Sequence, residues 1–265
     1  MANDEAGTKF PWYPKSLIRG NLAVGNLRDS LLKWLRNEKG VHAETLLTTI
    51  GAITGFAAQN AVWKMVAERS QTVPNFRRGE PPVPTAGFFS MTISSGEKFY
   101  FGDLLNSFLY PQKESKYLTL WNCAGGAAKE AGVQPDALPP VPEMFGYVTS
   151  CVGTANYGVP RVPAEHRASI TAPQVIKMVW SRVRAIFEEP VPKMMGKIAQ
   201  AESPLNEEHW PLIGSLVAAQ FITRAKAVVD LKTAFTIVME SAIAASKIDP
   251  IPLGIMLPGK ANLAP

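Results

Sequence analysis

HAETLLTTIGAITGFAAQNAVWKM, residues His42 to Met65, is the stretch whose reading decides the fold. No charged residue falls between Glu44 and Lys64, and small residues are dense within it. At about 100° per residue, Glu44, Thr48, Gly51, Gly55 and Gln59 share one stripe of a helix. Leu46, Ile50, Ile53 and Ala57 share the opposite side, with Phe56 and Trp63 flanking. One face is therefore an ordinary core face. The other is small and polar, and Gly51-x-x-x-Gly55 is a spacing that lets a second backbone approach closely.

The charge-free run from Thr45 to Trp63 is 19 residues long, close to the ~20 that cross a bilayer. Four threonines and the amides of Gln59 and Asn60 make it too polar for a lipid-facing span. A buried helix inside a bundle is the expectation, and membrane contact is not expected. Two uses of the small face follow. Either the glycines admit a neighbouring helix, or His42, Glu44, Thr48, Gly51, Gly55 and Gln59 line a pocket for a small apolar or amphipathic ligand. His42 and Glu44 point about 160° apart if both are helical. They converge only if His42 precedes the helix.

Outward from this stretch the chain reads as mainly α. Leu27, Leu31, Trp34 and Leu35 recur at helical steps before it, and Gly40 is a plausible stop. Residues 73–87 are rich in proline and glycine and read as a loop. Phe88–Ser94 and Lys98–Phe101 are β-prone runs around Ser95-Gly96-Glu97, which predicts one hairpin at about 88–101. Residues 113–131 read as a helix, whereas 144–160 carry no clear period. Thr171-x-x-Gln174, with Ile170 and Val175 at the staple positions, marks a helix start. The last apolar unit spans about 211–246, with Lys226 and Asp230 spaced to pair. The expected organisation is an extended segment over 1–15, one helical domain over 16–250 with the hairpin inserted, and an extended tail over 251–265.

Composition narrows the function classes. Charged residues are only 18% of the chain and hydrophobic residues 46%, which fits a surface partly covered by a partner. The net charge of +5 is not gathered into a basic arm, so nucleic acid is not an expected partner. Cys123 and Cys151 form no paired motif, and the N-terminus shows no apolar signal core, so a cytoplasmic setting is expected. The chain holds three histidines: His42, His166 and His209. Glu207-Glu208-His209 lacks a companion metal-ligand cluster, His166 sits in a loop-like stretch, and no nucleotide, phosphate or hydrolase motif is present. No cofactor and no catalytic residue is expected. The leading expectation is a non-enzymatic binding or assembly protein, homo-oligomeric. The alternative is an enzyme or small-molecule binder with its pocket on the Glu44–Gln59 face.

Overall fold

The computed structural model describes residues 17–71, 89–111, 118–189 and 204–254. The expectations for 1–15, 73–87 and the tail after 254 lie outside the described residues. The fold is mainly helical with two small antiparallel strand pairs. In chain order it runs α1 (Leu17–Trp34), β1 (Arg36–Asn37), β2 (Gly40–Val41), α2 (Ala43–Gln71), β3 (Phe89–Thr92), β4 (Lys98–Phe101) and α3 (Asp103–Asn106). It continues with α4 (Leu120–Glu130), α5 (Val141–Ser150), α6 (Ala172–Glu188), α7 (Trp210–Ala225) and α8 (Leu231–Ala245). Among the described residues no helix is long and apolar enough to cross a membrane.

The His42–Met65 stretch lies in α2, at the centre of the molecule. Every side chain from Leu46 to Gln59 is buried. A helix apolar on one face and small on the other has to be covered on both. The glycine stripe takes α8. A Cβ on Gly51 would collide with the carbonyl oxygen of Val238, and a Cβ on Gly55 with that of Ala242. Further along, Gln59 meets Ile248, so α2 and α8 run in the same direction. On another side, Gly214 of α7 admits Thr54, whose hydroxyl is returned to the Ile50 carbonyl at 2.8 Å. Phe56 continues this core into an aromatic cluster. Its ring meets Trp180 edge-on at 4.7 Å, and Trp210 and Phe187 stack beside it at 5.1 Å.

Helix ends follow the local chemistry. Gln174 Oε1 accepts the Thr171 N–H at 2.9 Å in the expected capping box. Asn122 Oδ1 accepts the Thr119 N–H at 3.0 Å and starts α4 later than the pattern predicts. The 211–246 unit is two helices, not one. Asp230 accepts the Thr233 N–H at 2.9 Å and caps α8. Lys226 to Asp230 is the turn between the two helices, so the predicted helical i,i+4 pair does not form. Val228 sits in that turn and is 70% exposed. The uncharged 144–160 segment resolves into the end of α5 followed by turns in which Gly153 and Gly158 take positive φ.

The β3–β4 hairpin has a three-residue loop. Ile93 N–H donates to Glu97, Gly96 N–H donates to Ile93, and Gly96 takes φ +86°. This is a type I turn closed by a left-handed glycine. β4 is fixed to the body. Tyr100 N–H donates to the Lys247 carbonyl at 2.8 Å, and Phe99 bridges Ile248. Trp63 packs edge-on against the Tyr100 ring at 5.2 Å.

Candidate functional site

The structure separates the six candidate residues into three groups. Gly51, Gly55 and Thr48 lie in the buried part of α2, and α8 lies against the two glycines. This face is a helix–helix seam. Gln59 ties the far end of the seam, its Nε2 donating to the Ile248 carbonyl at 2.7 Å. Gln59→Leu should strand that buried carbonyl. It also removes the unpartnered Gln59 Oε1, so the expected loss is only about 1 kcal/mol, read from the urea midpoint.

His42 and Glu44 form the third group, and here geometry decides. α2 begins at Ala43, so His42 precedes the helix and is free to fold back. Its Nδ1 accepts the Thr45 N–H at 3.3 Å, an N-cap arrangement. That acceptor role leaves the ring proton on Nε2, which lies 3.3 Å from Glu44 Oε2. The other carboxylate oxygen meets His166 Nδ1 at 2.9 Å. His166 comes from the turn Ala164–His166, far away in sequence. Spacing arguments within one segment had no means of bringing it here.

Glu44 is thus a carboxylate, 7% exposed, held between two imidazoles at the start of the central helix. Burial raises its pKa, but the His166 hydrogen bond and the two histidines together hold it below the ordinary value. The arrangement orients both rings as a carboxylate orients a general base. Among the described residues no group of three ligands is placed to hold a metal ion. Neither cysteine is exposed beside the site as a nucleophile. Cys123 and Cys151 are both buried, and burial pushes the Cys123 thiol up to about 12. His209 is half-buried in the turn before α7, where burial takes it down to about 4. Its Nδ1 accepts the Asn206 N–H at 3.2 Å, a capping duty.

A second polar group lies on α8. Glu240 is 1% exposed, and burial pushes its carboxyl up to about 7 against the opposing effect of Arg161. One oxygen accepts the Arg161 backbone N–H at 2.5 Å, and the other stands 3.7 Å from Arg161 Nε without a hydrogen bond. Two turns later Lys247 is 3% exposed, its Nζ 5.5 Å from both the Phe101 and Phe145 rings. Burial lowers it to about 8. The signal for both was present in the sequence: Glu240 is the one charged residue between Lys232 and Lys247 in an otherwise apolar run.

The hairpin is the third open feature. β4 is covered on both faces, yet all four residues of β3 are exposed, Phe89 at 62% and Met91 at 41%. Among the described residues nothing pairs with the outer edge of β3.

No protein family, no curated protein and no solved structure is matched by this chain.

Proposed function

We propose that the protein is a non-enzymatic assembly protein and that a second copy of the chain pairs along the outer edge of β3. The observation that carries this reading is the chemistry of that edge. Exposed edge strands are ordinarily blunted by lysine, proline or a bulge, because an open ladder recruits other strands. Phe89-Ser90-Met91-Thr92 has none of these and no charge.

The register supplies the hydrogen bonds. Ser90 lies opposite Tyr100, whose N–H points away from β3 to Lys247. In an antiparallel ladder, opposed residues that do not bond each other both face outward. Ser90 and Thr92 therefore present their backbone groups to the outside. Two copies aligned antiparallel about Met91 pair Ser90 with Thr92 in both directions, and an uncharged strand meets itself without repulsion. Phe89 and Met91 continue the row begun by the buried Phe101 and Phe99. The low charge content of the chain and its two free, buried cysteines are in keeping with an intracellular assembly in a reducing compartment.

Light scattering at micromolar concentration tests the reading. The wild type should run at twice the chain mass. Met91→Lys, which places two like charges at the axis, and Ser90→Pro, which removes an outward N–H, should each give a folded monomer. A wild-type monomer, or a dimer indifferent to both substitutions, overturns it.

A further inference from the structure

Beside Glu240 lies a cavity of about 380 Å³, walled by the Asp136–Pro140 connector, the start of α5 and the first turns of α8. Its charged lining is balanced: Arg161 and Lys232 against Asp136 and Glu143. Thr236 lines it too, one turn before Glu240, and Arg161 touches both the cavity and Glu240. Arg161 therefore joins the cavity to the buried carboxylate.

Arg161 is the unusual member. Its backbone N–H is bonded to Glu240, but its guanidinium makes no hydrogen bond among the described residues. The fork is held instead by surroundings just outside bonding distance. Glu240 Oε1 is 3.7 Å from Nε, Glu143 Oε2 is 3.8 Å from a terminal nitrogen, and the Tyr147 ring centroid is 5.4 Å away. The side chain is 45% exposed, so its donors face the cavity mouth and are matched to a planar carboxylate, which takes two parallel N–H bonds. The oxygen left unpartnered on Glu240 is the second mark of an incomplete polar group, because buried carboxylate oxygens are ordinarily satisfied.

We propose that this cavity binds a small zwitterion of the amino-acid type. The ligand carboxylate is taken by Arg161, with Lys232 beside it. The ligand ammonium is taken by Glu143, whose carboxylate stands 3.8 Å from the same guanidinium as the two charged groups of an α-amino acid require, and by Asp136. Glu240 is a positioning residue, which holds Arg161 through the backbone and the guanidinium. The equal number of acids and bases is what selects this class. A phosphate would meet two carboxylates, and a simple amine would meet two cations. The site is separate from β3, and its success or failure is independent of dimerisation.

The test is a binding titration on the full chain, by calorimetry and by thermal shift, with the standard amino acids offered one at a time. Acetate, ethylamine and inorganic phosphate serve as probes carrying only part of the chemistry. At least one amino acid should bind and raise the melting temperature, while the three partial probes should not. Arg161→Gln should weaken that binding by about tenfold or more with helical circular dichroism unchanged. Glu143→Gln should weaken amino acids while leaving acetate without effect. Should no amino acid bind the wild type, or should Arg161→Gln bind as well as the wild type, the proposal fails. Binding of acetate or phosphate as tight as that of any amino acid overturns the zwitterion assignment.

Discussion

Gly55→Val is expected to cost about 3 kcal/mol or more, a large share of the roughly 5–15 kcal/mol that holds a domain folded. In an isolated helix, replacing glycine by a residue with a side chain gains stability, by up to about 1 kcal/mol for alanine. At Gly55 that gain is overridden. The first added carbon falls on the carbonyl oxygen of Ala242, and Cα and C of the same residue lie close behind. A flexible side chain yields at low cost, whereas a backbone carbonyl inside a hydrogen-bonded helix does not. Separating α2 from α8 would also open the seam between the two central helices and break the Gln59–Ile248 tie. Gly51→Ala should behave alike but more mildly, since the added carbon overlaps the Val238 carbonyl oxygen less deeply than one at Gly55 overlaps that of Ala242, and alanine adds no further atoms. Gly126 of α4 is the control. Nothing lies within 4 Å of a Cβ there, so Gly126→Ala should stabilise by a fraction of a kcal/mol. Urea unfolding of the three variants reads the contrast. A Gly55→Val protein as stable as the wild type would mean that α2 and α8 do not pack as described.

That seam shows what was legible in the sequence. The stripe of Glu44, Thr48, Gly51, Gly55 and Gln59 follows from helical periodicity alone, and so did the choice between a helix and a pocket as its neighbour. Which of the two it is depends on α8, nearly two hundred residues further on, and no local pattern encodes that pairing. The same limit explains His166. It reaches Glu44 through a turn whose shape depends on tertiary packing, so only His42 was within reach of a spacing argument. The break at Asp230 was legible in principle, because aspartate caps helices. An unbroken apolar rhythm on both sides concealed it. Glu240 and Lys247 were visible as isolated charges in an apolar run, and a buried charge is the more informative deviation from pattern.

Glu240→Gln is expected to stabilise the protein at pH 8 relative to pH 4 by about 3 kcal/mol more than any change in the wild type over the same range. The carboxyl is raised from 4.5 to about 7 in the folded protein, chiefly by burial. Between those values the folded state holds a proton that the unfolded state has lost. Stability contributed by Glu240 is therefore complete below about pH 4.5, falls as pH rises, and is gone above about pH 7. The amide has no such dependence. The wild-type profile alone will not display it, because other groups titrate beside it. His209 is lowered to about 4, so the folded state binds fewer protons between 4 and 6.5 and stability rises there by a similar amount. Glu44, held below its usual value, also favours the folded state as pH increases. Lys247, lowered to about 8, adds stability only above that pH. The first two oppose Glu240 across the acid range, and a nearly flat wild-type curve is the expected sum. Subtracting it from the Glu240→Gln curve removes every shared contribution and leaves the single carboxyl. Urea unfolding at half-unit intervals from pH 4 to pH 8 gives both curves. A difference that stays constant with pH would show that Glu240 ionises normally and that Arg161 already compensates it in full. If the cavity beside Glu240 binds an amino acid, the stabilised glutamine variant should bind it less well. The buried charge would then be a cost in stability kept because it holds Arg161 where the ligand needs it.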